Sequence, residues 1–432
     1  MFMKKHETKQ LYSSQLNEYQ FMANWQIKLS LFLNYFVFAI LLNSVGTVIL
    51  QVQGNYGISE SSASILEAFK DLTIAGVSFL VASYIVRIGY KNSMLIAIAF
   101  VTVACLLMAT FPSFGMTKLL FAAVGASFAL IKVSVYATIG IVTDNKKDHA
   151  SFMNFIESFF MVGILTGYFI FSAYVENGNP QSTAWLKVYY MLAGISAVAF
   201  LLLLSAPLDE SSVHIKTSKP LVEDFADMFK LAVLPIVMVF IASAFLYVLI
   251  EQSIMSWLPT FNNKVLHLPT ALSIQMASIL AGSTAIGRFL AGIVLRKYHW
   301  YLVLTTCLIA AVVLVLVALP LAQNVNSQAI TGWASAPLAA FIFPLIGLFI
   351  APVYPSINSL ILSSLPTNKH ATMSGLIVVF SALGGTTGSI ITGHIFEAYG
   401  GQSAFYFSIV PLSILIVCLF FFNKIQKKSE VK

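Results

Sequence analysis

The sequence has too few charged residues for a water-soluble protein of its length. Of its 432 residues only 9% are charged, whereas 58% are hydrophobic. A soluble domain carries about 25% charged and about 45–50% apolar residues. This deficit excludes a soluble enzyme, a secreted domain and a disordered scaffold, because such a chain cannot cover a water-facing surface.

Cysteine is also scarce, and no cleavable leader is evident. The three cysteines, Cys105, Cys307 and Cys418, each lie inside an apolar run. They provide neither a disulfide framework nor a paired-cysteine metal site. The first 25 residues are polar, so the sequence predicts no signal peptide. We expect no metal and no cofactor.

Long apolar runs dominate the chain instead. A helix needs about 20 apolar residues to cross ~30 Å of hydrocarbon. Backbone groups in lipid must be satisfied internally, so these segments should be helices. Twelve spans are predicted, at 27–50, 63–86, 93–111, 117–142, 152–174, 186–206, 230–257, 271–295, 301–321, 337–361, 372–396 and 403–423. The predicted fold class is therefore an all-α polytopic membrane protein.

The positive charges lie mostly on one side of these spans. The net charge is +7, which by itself could indicate a nucleic-acid partner. However, 18 of the 24 Lys and Arg residues fall on the side of the two chain ends, and only three on the other side. Loops rich in Lys and Arg stay in the cytoplasm. We therefore expect cytoplasmic termini and no nucleic-acid partner.

A charged stretch divides the predicted spans into two equal sets. It predicts a cytoplasmic linker at 207–229, between an N-terminal half at 27–206 and a C-terminal half at 230–423. Cytoplasmic tails are predicted at 1–26 and 424–432.

A short repeat relates the two halves. His149 and His370 each precede a span, and Gly163 and Gly167 recur as Gly384 and Gly388 at the same offset of 221 residues. Each glycine pair forms a GxxxG motif, which allows helices to approach closely in lipid. A six-helix unit used twice is typical of secondary transporters.

Ionisable residues nevertheless fall within the spans. They are Glu67, Lys70, Asp71, Lys132, Glu157, Glu251 and Arg288. At about 3 kcal/mol each, exposing all of them to lipid would cost on the order of 20 kcal/mol. They must face one another or water, which predicts a polar interior shared between helices.

The roles of these charges have alternative interpretations. One helix face carries three of them, since Lys70 and Asp71 follow Glu67 by three and four residues. These residues form a helix-end salt bridge in one interpretation. In the other, Asp71 is a proton-coupling group. Lys132 either pairs permanently with Asp71 or Glu157, or contacts the substrate.

The two ionisable residues of the second half are similarly open to interpretation. Glu251 is a proton-coupling candidate or hydrogen-bonds across the seam between the halves. Arg288 is a gate or a brace near a helix end.

Span 10 contains Pro344, Pro352 and Pro355, which should bend or break it. Polar residues near it and in other spans are candidates for substrate binding. With Lys132 they are Asn34, Asn43, Tyr136, Tyr247, Gln252, Tyr354 and Asn358.

The sequence resembles the major facilitator superfamily and, within it, the fucose–galactose–proton symporter family with its TsgA-like bacterial members. The residues that carry the resemblance are Tyr247-Val248, Ser256-Trp257-Leu258-Pro259, Gly287-Arg288-Phe289, Tyr354-Pro355-Ser356 and Ser158-Phe159-Phe160 with Gly163. The resemblance implies two pseudo-symmetric six-helix halves, alternating access, and a monomer in the bilayer of a bacterial inner membrane.

The sequence also departs from that family. Val86 stands where an acidic residue usually precedes Arg87, so the gating candidates Arg87 and Lys91 belong to a degraded motif. The fucose-type members carry carboxylates in spans 1 and 4, but span 1 has no acid here and Lys132 takes the span-4 position. The coupling group has therefore moved to Asp71, Glu157 or Glu251, and a cationic cavity suits an anionic solute better than a neutral sugar.

The leading hypothesis is a secondary transporter of a small polar solute, anionic or sugar-like, coupled to a symported ion, most simply H⁺. The alternative is proton-antiport efflux of a metabolite or drug, although Gly163–Gly167 lacks the proline of the drug-antiporter motif. A membrane enzyme is not expected, because no catalytic or phosphate-binding arrangement is found. A non-transporting sensor is a remote alternative. Substrate, direction and coupling ion are left open.

Overall fold

The computed structural model describes residues 25–141, 146–208, 210, 230–322, 330–365 and 370–430. This part of the chain is helical and contains no β-strand. Its twelve long helices are α1 (Trp25–Asn43 and Val45–Tyr56), α2 (Ile65–Ile88), α3 (Tyr90–Thr110), α4 (Phe114–Ile141), α5 (Lys146–Ala173), α6 (Lys187–Ser205), α7 (Pro235–Met255), α8 (Thr270–Val294), α9 (Trp300–Ala318), α10 (Ala339–Ile342, Phe343–Leu345, Ile346–Ile350 and Val353–Ser363), α11 (His370–Tyr399) and α12 (Gly401–Tyr406 and Ile409–Glu430). Short helices cover Glu60–Ala63, Ala184–Leu186, Leu258–Lys264, Pro320–Ala322 and Trp333–Ser335.

Among the described residues, 11 helices are long and apolar enough to cross a membrane, namely α1 and α3 to α12. The remaining long helix, α2, has 24 residues and carries Glu67, Lys70 and Asp71. The predicted all-α polytopic fold is confirmed. The helices begin within a few residues of their predicted starts. The largest difference is at α5, which begins at Lys146 instead of the predicted residue 152. Nearly all of the predicted N-terminal tail and of the predicted linker lies outside the described residues. The predicted C-terminal tail at 424–432 is helical up to Glu430, because α12 continues to that residue.

With twelve long helices, α1 begins and α12 ends on the same side of the bundle. We call the side where α1 begins and α12 ends the terminal face. The side that carries the connection between α1 and α2 is the opposite face.

Glycines set the closest helix crossings in each half. A Cβ on Gly163 of α5 would lie only 2.7 Å from the Cβ of Ala39 in α1. A Cβ on Gly384 or Gly388 of α11 would collide with backbone carbonyls of α7. At Gly163, α5 crosses α1 as α11 crosses α7 at Gly384 and Gly388, whereas a Cβ on Gly167 would meet Ile40 at an ordinary 3.4 Å.

Pro344 and Pro352 lie where α10 divides into segments, as predicted, whereas Pro355 lies in the first turn of the segment Val353–Ser363 and does not break it. Proline cannot donate a backbone hydrogen bond and clashes with the preceding turn. Side chains satisfy carbonyl groups at the breaks: Ser283 Oγ of α8 donates to the Pro344 carbonyl at 2.8 Å, and Ser356 Oγ donates to that of Pro352 at 2.7 Å. The break positions lie beside the centre of the bundle, where the site is found.

Lys91, one of the predicted gating residues, is part of a brace on the terminal face. Its Nζ donates to the carbonyls of Leu204 and Ala206 at 3.0 and 2.7 Å. Glu210 accepts from the backbone N–H of Tyr90 at 2.9 Å and from that of Lys91. A carboxylate is favourable at this helix N-terminus, so the beginning of the linker fixes the start of α3. The side chain of Arg87, the other gating candidate, lies outside the described residues.

Candidate functional site

A central cavity of about 160 Å³ lies between the two halves. Helices α1 and α5 line it from the N-terminal half, and α7, α8 and α10 line it from the C-terminal half. Its polar lining residues are Asn43, Glu251, Gln252, Thr284 and Arg288. The predicted location of the site, at the interface of the halves, therefore coincides with a cavity that both halves build.

The N-terminal half contributes a cluster of polar side chains beside this cavity. Lys132 and Tyr136 lie one turn apart on α4, so they share one face of the helix. Tyr136 Oη donates to Glu157 Oε1 of α5 at 2.6 Å. The Tyr35 ring of α1 lies 6.5 Å from the Tyr136 ring.

Lys132 is exposed and faces the interior of the bundle. Its Nζ lies 5.9 Å from the centroid of the Phe128 ring, and that ring lies 6.1 Å from the Phe160 ring, which lines the cavity. Within the described residues, Lys132 makes no ion pair with Asp71 or Glu157. The geometry thus favours a cation available to a ligand over a permanent internal pair.

The C-terminal half contributes a second cluster. Tyr247 Oη donates to Glu251 Oε1 at 2.9 Å, and Arg288 Nη2 of α8 lies 3.5 Å from the same oxygen. The Tyr354 ring stacks on the Tyr247 ring at 5.3 Å, and Tyr354 Oη shares a 2.8 Å hydrogen bond with Ser381 Oγ. Glu251 therefore bonds within its own half rather than across the seam. Arg288 links α7 to α8.

The two clusters have the same chemical plan. In each half, one carboxylate accepts a hydrogen bond from a tyrosine, and one cationic side chain faces the interior near it. Both cations and both carboxylates are partly accessible, with 36% of the Arg288 side chain and 22% of the Glu251 side chain exposed. This arrangement can bind an anionic group and can also exchange protons.

The other predicted binding residues divide into two groups. Asn43 and Gln252 line the cavity, and Asn358 is half-buried with no hydrogen-bond partner for its Oδ1 among the described residues. Asn34 is buried, and its Nδ2 donates to the Ser30 carbonyl of its own helix at 2.8 Å. Asn34 is therefore left out of the proposed site.

A separate ionic cluster lies on α2 where this helix meets the other half. The Lys70 ammonium contacts a Glu67 oxygen closely and lies 3.4 Å from Asp71 Oδ1. Ser256 Oγ of α7 donates to the other Glu67 oxygen at 3.0 Å. The Asp71 carboxylate abuts the backbone of Gly385 in α11. We call this contact of α2 with α7 and α11 the outer seam.

The outer seam continues to the opposite face. The Glu60 carboxylate pairs with Lys264, and the backbone N–H of Ser61 donates to the Glu397 carboxylate at 2.8 Å. A second seam joins α5 to α8, where Gln275 Nε2 donates to Ser172 Oγ at 3.2 Å.

These contacts show which side of the bundle is shut. Within the described part of the chain, the hydrogen bonds that join the halves all lie towards the opposite face. Lys132, in the half of α4 nearer the terminal face, is exposed. The contacts of the two seams therefore close the opposite face.

Twelve long helices, 11 of them long and apolar enough to cross a membrane, form two halves around a polar central cavity that is shut on one side, and this arrangement defines a membrane carrier. Residues 31–388 match the model of the Major Facilitator Superfamily, and the chain belongs to this family. It is therefore a transporter and not an enzyme, and it works as a secondary carrier.

Comparison with individual proteins supports this assignment. The chain is 23% identical over 302 residues to the Protein TsgA homolog of Buchnera aphidicola subsp. Baizongia pistaciae (strain Bp), covering 70% of each chain. A mutant of the nucleoside transporter NupG has a TM-score of 0.72 at 16% identity, covering 93% of this chain and 99% of that one. A mutant of the E. coli Fucose:proton symporter, FucP, has a TM-score of 0.58 at 13% identity, with 91% and 98% covered. The resemblance to TsgA and to the fucose symporter is confirmed.

Two features of the site were not predicted from the sequence. Ser256 was noted only as part of a family motif, and its hydrogen bond to Glu67 spans 189 residues. Gly385 follows the noted Gly384 directly, so a run of two glycines opposite a buried acid was the available signal.

Proposed function

We propose that this chain imports a small polar solute bearing an anionic group, by proton symport with alternating access. In this proposal the terminal face is cytoplasmic, and the membrane is the inner membrane of a bacterium. The observation that carries it is Lys132, a cation exposed inside a bundle that is shut on the opposite face. The structure then corresponds to the form that releases solute to the cytoplasm.

The preference for an anionic solute follows from the cost of burying charge. A mid-membrane ammonium is stable only with a partner or with water. Lys132 has no ion-pair partner within the described residues, so a carboxylate or phosphate entering the cavity would find a free cation. Arg288, which lies 3.5 Å from Glu251, offers a second cation across the interface. Tyr136 and Tyr247 offer hydroxyl groups to the remainder of the solute.

Proton coupling is supported by three carboxylates in the membrane interior. Glu157 and Glu251 lie in the two central clusters, and Asp71 lies in the outer seam. Each has a hydrogen-bond donor or a cation next to it. A carrier that binds solute and proton together can use the proton gradient for accumulation.

The Glu251→Gln variant is expected to lose proton-driven accumulation at least tenfold while still exchanging labelled for unlabelled substrate. Glutamine cannot take up a proton, but its oxygen can still accept from Tyr247. The measurement is uptake into liposomes with an imposed pH gradient, paired with counterflow without one. Glu176→Gln, an exposed carboxylate in the α5–α6 connection, is the matched control and should behave as the parent. Full accumulation by Glu251→Gln would remove Glu251 from the coupling role.

The proposal as a whole needs a substrate. Purified protein should first be screened by thermal shift against organic acids, phosphorylated metabolites, neutral sugars and peptides. Solutes that raise the melting temperature are then tested for uptake into liposomes. Proton-driven uptake of an anionic solute supports the proposal, whereas stabilisation by neutral sugars alone contradicts the predicted substrate class. Transport only against the proton flow would identify efflux by antiport instead.

A further inference from the structure

The ionic cluster of the outer seam has one more carboxylate than cation. Glu67, Lys70 and Asp71 are 0%, 5% and 7% exposed. Lys70 contacts Glu67 closely, and Glu67 also accepts from Ser256. Asp71 has only the longer 3.4 Å contact with Lys70. If both acids are ionised, the buried cluster carries a net charge of −1.

Within the described part of the chain, no neighbouring helix offsets this charge. The groups that face the cluster are the Leu42 carbonyl of α1, Ser256 and Gln252 of α7, and Gly385 of α11, while Gly125 of α4 packs on the Lys70 backbone. All of them are uncharged. Lys118 of α4 lies over the Phe69 ring, on another side of α2, and Glu251 of α7 is held by Tyr247 and Arg288.

Asp71 lies between the outer seam and the central cavity. Its carboxylate and the Gln252 side chain both pack against Gly385. A Cβ added to this glycine would collide with the Asp71 carboxylate and would lie 3.2 Å from Gln252 Cγ. Gln252 also lines the cavity. Asp71 is thus next to the cavity while the seam is closed. It would face the opposite side once α2 parts from α7 and α11.

We propose that Asp71 is the proton-binding group of the outer seam, and that its protonation holds the opposite face closed. The inference rests on the proposed function, because it names where the coupled proton acts. An uncompensated buried charge is costly, whereas a protonated Asp71 leaves the cluster neutral. Loss of the proton therefore favours the form in which the seam is open to water.

The direction agrees with symport. A carrier that takes a proton from the opposite face, together with solute, closes that face and opens to the cytoplasm. Release of the proton through the cavity past Gln252 then leaves a charged cluster, which reopens the seam. Proton binding and the change of access are thereby linked at one residue.

The test measures seam closure directly, without substrate. Spin labels are placed at Ser62→Cys and His394→Cys, which are exposed on the two sides of the seam. The native cysteines are replaced as Cys105→Ala, Cys307→Ala and Cys418→Ala. The distance between the two spin labels is measured in liposomes between about pH 5 and 8. The ratio of closed to open carriers should fall with rising pH, by up to about tenfold per unit for one linked proton.

The Asp71→Asn variant should remain closed across this range, with less than about a twofold change in the ratio. The control Glu60→Gln removes a partly buried acid of the same seam, which pairs with Lys264, and it should keep the pH dependence of the parent. If the closed-to-open ratio of the parent does not change with pH, the inference is overturned even if Asp71→Asn does not fold. It is also overturned if the ratio for Asp71→Asn changes with pH as that of the parent does. Proton-driven uptake with a flat seam profile refutes this inference alone. A pH-dependent seam without proton-driven uptake refutes the proposed function instead.

Discussion

Replacing Lys132 by methionine is expected to weaken binding of the anionic substrate about 10- to 100-fold and to leave the protein folded. A hydrogen bond to a charged group contributes about 1.5–3 kcal/mol, and about 1.4 kcal/mol corresponds to tenfold in affinity. Methionine keeps the length of the side chain without the charge. Because Lys132 has no ion-pair partner within the described residues, its removal leaves no buried carboxylate without a partner.

The dissociation constant of the substrate found by screening should be measured for the Lys132→Met variant, together with its melting temperature without ligand. Lys187→Met, at the exposed start of α6 on the opposite face, removes a cation remote from the cavity and should bind as the parent does. Unchanged affinity in Lys132→Met would exclude Lys132 from the binding site. A large fall in melting temperature would instead indicate that the lysine supports the fold.

The Gly384→Ala variant is expected to lower the melting temperature by about 5 °C, whereas Gly167→Ala should have little effect or a small stabilising one. Alanine in a helix is intrinsically favoured over glycine by about 1 kcal/mol. At Gly167 that gain is available, because a Cβ would meet Ile40 Cγ2 at an ordinary 3.4 Å. At Gly384 the new methyl group collides with the Phe245 carbonyl, and overpacking costs about 1–3 kcal/mol.

Thermal unfolding in detergent, followed by size-exclusion chromatography, compares the two alanine variants directly. Gly388→Leu provides a stronger perturbation of the α7–α11 crossing and should yield little monodisperse protein. Equal melting temperatures for Gly384→Ala and Gly167→Ala would show that α11 can move away from α7 at little cost. The close crossing would then not be a fixed element of the C-terminal half.

Most helices could be predicted from the sequence because they are long apolar runs. The breaks in α10 could be predicted because Pro344 and Pro352 lack a backbone donor. The polar interior could also be predicted, since buried charges have few alternatives in lipid. The partners of these charges could not be predicted. Glu251 and Arg288 are 37 residues apart on different helices, and neither the rotation of a helix about its axis nor its neighbour follows from hydrophobic pattern alone.

Asn34 illustrates a second limit. An asparagine in a membrane helix can point into a cavity or donate to the carbonyl one turn before it in its own helix. Asn34 and Asn43 both make the local bond, at 2.8 Å each. Only Asn43 also reaches the cavity, because of where each residue falls along α1. The sequence offered no means of separating them.

A buried tryptophan, Trp257, lies beside the outer seam. Trp257, 0% exposed, donates through its Nε1 to the Ser389 carbonyl at 3.1 Å, and it lies with Ser64 of the other half beside Gly393. Parting of the halves on this side would bring water to that ring. The molecule therefore carries its own optical reporter, since the colour of tryptophan emission depends on the polarity of its surroundings.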